Sequence, residues 1–283
     1  MSNRDLKYSI NWEEARQAIR SERAGRSKVT FDPDYIKSSA GDFSKRVQSN
    51  DYEFGRKPVE IIDSILDSSM DVLEIGPGPG TLTIPLSKKV RSITCIDTNP
   101  QNIAHLQKNL DDSGCSNVKI IQADWTKMND SELADSYDLV VCSHFLWMIP
   151  DLKEHISRME NAARKYCVII QPAGRSNFVK KVYEEIVGVP YRGEFEPDAD
   201  YFAYVIVREW GRLCKVDHYS FTNSTSPQER LRMTAGFIGR FKEVDNDVAK
   251  RIMEMIEKEI PEDGLFTETN HAVVMWWSPD KSQ

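Results

Sequence analysis

The chain has 283 residues, 40% hydrophobic and 29% charged, enough apolar material for a packed core and too much for disorder over most of its length. Thirty-seven Lys and Arg against 44 Asp and Glu leave a net charge of −7, so the chain lacks the basic excess suited to a phosphate backbone, and nucleic acid is disfavoured as a partner. Its five cysteines form no CxxC pair and sit mostly in apolar runs such as ITCID and LVVCS, which predicts core thiols in a reducing compartment and no metal centre. The N-terminus MSNRDLKYSINWEEARQ carries charges and no apolar segment, and no run of about 18 apolar residues occurs anywhere. A cytoplasmic protein with no membrane segment is expected.

Asn11 to about Lys28 reads as a charged helix with a thin apolar stripe of Trp12, Ala15, Ala18 and Ile19. It belongs to an N-terminal arm, residues 1–42, that either packs on the main body or serves as a lid, a dimer contact or a basic grip through Arg16, Arg20, Arg23 and Arg26. Pro33 and the run Ser38 to Asp42 break the pattern, and Phe43 to Leu66 reads as one or two helices. The main domain is then residues 43–283.

From Asp71 onward, strands alternate with helices. Asp71 to Ile75 is a short apolar strand, Gly76 to Gly80 a turn, and Leu82 to Val90 a helix. Ser92 to Ile96 is a second strand ending in Asp97, followed by a helix over Asn99 to Leu110. Val118 to Ile121 is a third strand ending near Asp124, Tyr137 to Cys142 a fourth, Leu152 to Lys165 a helix and Tyr166 to Ile170 a fifth strand. This order predicts an α/β fold, a mostly parallel sheet with helices on both faces. Past Pro172 the alternation loosens: helices over 177–186, 198–210, 227–236 and 245–259, a strand over 215–222 and a last one over 271–277. Residues 176–260 are expected to contain a largely helical insertion, ahead of the last two strands, that caps a substrate; its aromatics between Tyr183 and Phe221 are read mainly as core.

The chemistry centres on the glycine turn. Gly76, Gly78 and Gly80 follow a strand directly, where a ligand can approach a backbone that lacks β-carbons. Asp97 closes the second strand about 20 residues later, the spacing of an acid that accepts two ribose hydroxyls. That pattern alone admits a nicotinamide dinucleotide as readily as another adenosine cofactor. Pro77 and Pro79 weigh against the dinucleotide, because they have no N–H to give a pyrophosphate.

The segment Glu74-Ile-Gly-Pro-Gly-Pro-Gly-Thr-Leu-Thr83 resembles the first motif of class I S-adenosylmethionine (SAM)-dependent methyltransferases. Ala123-Asp124-Trp125 is similar to that family's third motif, in which the acid takes the adenine amino group and its neighbour lies against the ring; Asp138 to Trp147 is similar to the fourth. The resemblance covers roughly Phe43 to Pro172 and, less closely, the final strand. It implies a Rossmann-like seven-stranded sheet and SAM as cofactor, bound by Glu74, Gly76, Gly78, Gly80, Asp97, Thr98, Asp124, Trp125 and Ser143. Tyr52 and Arg46, in a lead-in similar to that of many small-molecule members, would cover the methionine end, or else sit on a connecting helix. As an alternative for Asp124, the residue is a helix cap.

His144, just past the fourth strand, is the candidate general base, although Phe145, Leu146 and Trp147 beside it also suit a packing histidine; His218 is the reserve. Cys142-Ser-His-Phe145 lacks the Asn/Asp-Pro-Pro-Tyr motif of amino-methylating DNA and protein enzymes, and also the Asn-Leu-Pro-Tyr-like motif of the ribosomal RNA adenine dimethylases whose first motif Glu74 to Thr83 also resembles. The expected function is methyl transfer to a small-molecule acceptor. A macromolecular substrate gripped by the N-terminal arginines, or SAM binding without catalysis, remains the alternative, and a homodimer is left open. Aromatics with Glu194, Glu196, Asp198 and Asp200 suggest a cationic or amphipathic acceptor, or simply a solvated loop.

Overall fold

A computed structural model describes residues 11–26, 41, 43–192, 199–261 and 264–279. Seven strands form one sheet in the order β3-β2-β1-β4-β5-β7-β6: β1 Asp71–Ile75, β2 Ser92–Asp97, β3 Val118–Gln122, β4 Tyr137–Ser143, β5 Ala163–Pro172, β6 Lys215–Thr225 and β7 Phe266–Trp277. The first five are parallel, and β7 runs antiparallel between β5 and β6. Strand order reverses between β1 and β4, so the crevice over the carboxyl end of β1 is flanked by β2 on one side and β4 on the other, the place where open α/β sheets bind ligands.

Helices α1 Trp12–Arg26, α2 Glu53–Ile61, α3 Thr83–Ser87, α4 Pro100–Asp112, α5 Asp130–Leu133, α6 Leu152–Ala162, α7 Asn177–Val187, α8 Ala199–Glu209, α9 Pro227–Ile238 and α10 Asn246–Glu257 complete the fold, with a further helical stretch over 43–49. The central strands read as near-continuous apolar runs because helices cover both faces. On one face Leu73, Ile75, Val140, Cys142 and Ile169 pack with Ile156 and Met159 of α6 and Phe202 and Ile206 of α8, and Trp12, Ala15 and Ile19 of α1 lie against them. On the other, Val72, Ile93, Cys95, Leu139 and Val141 pack with Phe54 of α2, Ile84 of α3 and Leu106 of α4.

A third core joins α7, α9 and α10 around Val182, Tyr183, Phe237, Ile252 and Phe266. The helical addition is therefore spread across β6. Of the helices ahead of it, α7 joins the third core while α8 covers the main sheet, and α9 and α10 fall between β6 and β7. Strand β7 begins at Phe266, earlier than the expected His271, because it pairs along the whole of β6. The charged helix α10 turns a stripe of Val248, Ile252, Met255 and Ile256 inward, which leaves its charges on the opposite face.

Candidate active site

The turn after β1 holds all three glycines at positive φ: +67° at Gly76, +57° at Gly78 and +95° at Gly80. A β-carbon on Gly76 would stand 2.7 Å from the Phe145 ring and one on Gly80 2.8 Å from Leu106, whereas one on Gly78 meets nothing within 4 Å. Gly78 is thus the point where backbone faces open space. Alanine at Gly78 should cost only the ~1–2 kcal/mol of a left-handed L-residue and leave the fold intact, while alanine at Gly80 adds a clash and should cost more. Urea unfolding of both variants checks the order; the reverse order would refute this account of the turn.

Asn109 on α4 anchors the turn. It is 1% exposed, donates to the Pro79 carbonyl (2.8 Å) and Ser44 Oγ (3.0 Å), and accepts from Gln48 (2.7 Å). Gly55 on α2 supplies the second support. Its β-carbon would fall 2.0 Å from the Thr81 carbonyl oxygen, so α2 rests directly on the backbone leaving the turn. Neither residue stands out in the sequence; an isolated glycine in a helical stretch is the one available signal for Gly55.

Two carboxylates flank the turn. Glu74 is 1% exposed, and burial first, then the nearby Asp97, raises its pKa to about 7 against the opposing hydrogen bonds of Thr83 and Cys95. Its Oε1 and the buried Thr81 Oγ1 have no hydrogen-bond partner. Asp97, buried at the end of β2, accepts from the Asn99 N–H (2.8 Å) and from Asn102 Nδ2 (3.3 Å), which fixes its carboxylate over the strand end. Thr98 beside it is exposed and Ser143 at the end of β4 is half-buried. An open glycine backbone, a buried carboxylate oxygen that needs a donor and a fixed acid at the next strand together suit an adenosine cofactor with a cationic amino-acid end.

Asp124 and Trp125 stand differently. Asp124 accepts from the Thr126 N–H (3.0 Å) and hydroxyl (2.7 Å) and pairs with Lys127 (3.1 Å), the capping role; the Thr126 bond leads in lowering its pKa. Trp125 is 3% exposed, gives its indole N–H to His155 Nδ1 (3.1 Å) and has Arg158 over its ring, so it packs as a core residue. Burial holds His155 neutral, with a pKa lowered to about 3. Packing beneath α6 takes up the indole. Tyr52 lies just before α2 at φ +53°, half-buried against the second core. Arg46 is committed to Glu229 of α9 and lies over Phe43, so it joins the lead-in helix to α9.

His144 sits at the carboxyl end of β4 with φ +52°, its N–H bound to the Ile170 carbonyl (2.8 Å). The residue is exposed, and desolvation with the charge of Arg175 lowers its pKa to about 4. His218 is exposed on β6, on the outer edge of the sheet.

Helix α1 secures the loop that follows. Arg16, 2% exposed, donates to the carbonyls of Leu146 (3.1 Å), Ile149 (2.7 Å) and Pro150 (3.1 Å), Arg20 also reaches Ile149 (2.8 Å), and Glu13 accepts from the Leu152 N–H (3.2 Å). Two of the four arginines read as a basic grip are thus spent on backbone carbonyls. The side chains of Arg23 and Arg26, the acidic run from Glu194 to Asp198, and the side chains of Asp200 and Trp147 lie outside the described residues.

This sheet order, with a glycine turn at its reversal, defines the class I methyltransferase fold. Residues 66–194, just under half of the chain, match the family described as Methyltransferase domain. A SAM-dependent methyltransferase of Aquifex aeolicus superposes with a TM-score of 0.52 at 12% identity over 89% of this chain and 100% of its own, a likeness of fold. The ribosomal RNA small subunit methyltransferase A of Wigglesworthia glossinidia brevipalpis is 39% identical over 66 residues, 23% of this chain and 24% of its own. The calmodulin-lysine N-methyltransferase of Arabidopsis thaliana is 25% identical over 131 residues, 42% and 43% of the two chains. The chain spans half or less of the length of these curated relatives.

Proposed function

We propose that the protein transfers a methyl group from SAM to a small-molecule acceptor. The observation that carries this reading is the Gly78 backbone, open to a ligand and set between the buried Glu74 and the fixed Asp97. Glu74, Gly76, Gly78, Gly80, Asp97, Thr98 and Ser143 would hold the cofactor, which supplies an electrophilic methyl on a sulfonium. The chain's part is alignment of the nucleophile in a site from which water is excluded, and such positioning is worth ~7–11 kcal/mol.

With its pKa near 4, His144 is a neutral imidazole at pH 7 and a poor match for full proton removal from a hydroxyl or an ammonium. It orients the nucleophile through a hydrogen bond, and this reading favours an acceptor atom that already holds a free lone pair. Helices α7, α9 and α10, all within residues 176–260, act as the cap over the acceptor. Arg16 and Arg20, bound to carbonyls, speak against a macromolecule gripped by the arginines of the arm.

Titration calorimetry with SAM and, separately, NAD tests the assignment. Micromolar SAM binding, no NAD binding, and a loss of about tenfold or more in Asp97→Ala are expected, since the acid's hydrogen bonds are worth ~1.5–3 kcal/mol. Absence of SAM binding by folded protein would overturn the proposal.

A further inference from the structure

A polar cluster lies apart from the glycine turn, where α9 packs on the outer ends of β6 and β7. Arg230 is buried there, gives two hydrogen bonds to Glu268 (2.6 and 2.8 Å) and one to Ser176 Oγ (3.1 Å), and lies over the Phe178 and Phe266 rings. One turn further along α9, Thr234 is 1% exposed. The next residue of that stripe, Phe237, has the Arg175 guanidinium 4.8 Å above its ring. The stripe 230, 234, 237 therefore faces the loop 175–176 and the end of β7.

On β7, Asn270 shares a face with Glu268, two residues away, and pairs in register with Phe221. Asn50, from the lead-in, donates to the Thr222 carbonyl (3.3 Å) and to Asn223 (3.5 Å), which stands opposite Glu268. In this neighbourhood Thr234 Oγ1, Asn270 Nδ2, Arg230 Nε and Asn50 Oδ1 are buried with no hydrogen-bond partner. Each such atom costs ~1–3 kcal/mol when left unsatisfied, and four together mark a place that something else completes.

An aromatic path joins the cluster to His144. Phe221 meets Phe54 edge-on at 4.9 Å between centroids, and Phe54 lies 5.9 Å from the His144 ring. Phe54 is fixed in turn: Pro58 has no N–H to give the Phe54 carbonyl, and the Tyr219 hydroxyl donates to that carbonyl instead (2.8 Å).

We propose that this cluster is the specificity site of the acceptor and holds the carboxylate of a small planar molecule whose nucleophile lies beside His144. The inference rests on the methyltransferase reading. Donors dominate the set: Arg230 Nε–H, Asn270 Nδ2–H and the Thr234 hydroxyl against the single obligate acceptor Asn50 Oδ1, which matches a ligand end rich in acceptor oxygens. Glu268 and Glu229 neutralise Arg230 and Arg46, so hydrogen-bond donors rather than net charge would hold the carboxylate. Arg46 helps burial to lower the pKa of Arg230, against the pull of Glu268, and Arg175 helps burial to lower that of His144. The Phe221 and Phe54 rings, buried and packed edge-on, form an aromatic wall between the two ends, against which a flat body would lie.

The test uses the full chain saturated with S-adenosylhomocysteine and three probes that differ only in charge: 4-hydroxybenzoate, 4-hydroxybenzamide and 4-hydroxybenzylamine, with binding read by calorimetry. The carboxylate is expected to bind about tenfold tighter than the amide, with the amine weakest. Asn270→Ala and Thr234→Val should each weaken the carboxylate about fivefold or more without changing the affinity for S-adenosylhomocysteine, and Thr234→Ser, which keeps the hydroxyl, should bind like wild type. Equal binding of the three probes, preference for the amine, or variants that leave carboxylate affinity unchanged would overturn the inference, the cluster then holding water alone. Failure of S-adenosylhomocysteine to bind would instead bring down the proposed function itself.

Discussion

Alanine at Gly55 is expected to destabilise the protein and to cost it most of its affinity for SAM, against what helix propensity alone predicts. Gly55 lies within α2, where glycine-to-alanine exchange normally gains ~1 kcal/mol. Here the added carbon would stand 2.0 Å from the Thr81 carbonyl oxygen, 2.7 Å from its carbonyl carbon and 2.8 Å from the Leu82 Cα. All three are backbone atoms of the segment that leaves the glycine turn, and no rotamer change relieves them. Either α2 retreats or the turn deforms. Overpacking of this kind costs ~1–3 kcal/mol, and the upper end applies where only backbone can yield, so a net loss of about 2 kcal/mol remains after the propensity gain. Urea unfolding gives the first number and calorimetry with SAM the second, expected to fall about tenfold because Thr81 directly follows the glycine turn that ends at Gly80. A Gly55→Ala protein as stable as wild type, with unchanged SAM affinity, would show that the two elements are not coupled through this contact.

The alternation of strand and helix from Asp71 to Ile170 was legible because each central strand is an apolar run bounded by a turn, and five such units admit few topologies. Glu74, the three glycines and Asp97 were legible for a local reason: a strand end, a turn and the next strand end fix their geometry within some 25 residues. Partners far apart in sequence were not. Arg16 reads as one charge among many on an amphipathic helix, yet its partners are carbonyls of the 146–150 loop, more than a hundred residues away. Trp125 follows the motif pattern, but its burial depends on His155 and Arg158, both on α6. Asp124 carried both readings in sequence, and its carboxylate caps the following turn through Thr126. The helical addition escaped a clean boundary because its core gathers α7, α9, α10 and the first residue of β7 from both sides of β6, a grouping that periodicity within any one segment does not reveal.

Glu74 makes stability and cofactor affinity depend on pH in opposite directions. Its pKa in the folded protein is raised from 4.5 to about 7, chiefly by burial, so between those values the folded state holds a proton that the unfolded state has released. The resulting stabilisation is complete below pH 4.5 and is lost as pH rises through 7. For a side chain 1% exposed, the shift corresponds to about 3 kcal/mol. Glu74→Gln removes the ionisation while keeping the shape. It should therefore unfold at nearly the wild-type urea concentration at pH 5 and resist urea better than wild type at pH 8, by up to ~3 kcal/mol.

Cofactor binding reverses the preference. A cationic ligand beside the glycine turn favours the carboxylate, so wild-type protein should release a fraction of a proton on binding SAM at pH 7 and bind it more tightly at pH 8 than at pH 6. Calorimetry in phosphate and in Tris, whose ionisation enthalpies differ, measures that release. The ligand's own amino group titrates in both proteins, so the difference between wild type and Glu74→Gln isolates the contribution of the side chain. Equal proton release by the two proteins, or a Glu74→Gln variant no more stable at pH 8, would mean that the buried carboxyl is already ionised and that Asp97 alone answers the ligand's charge.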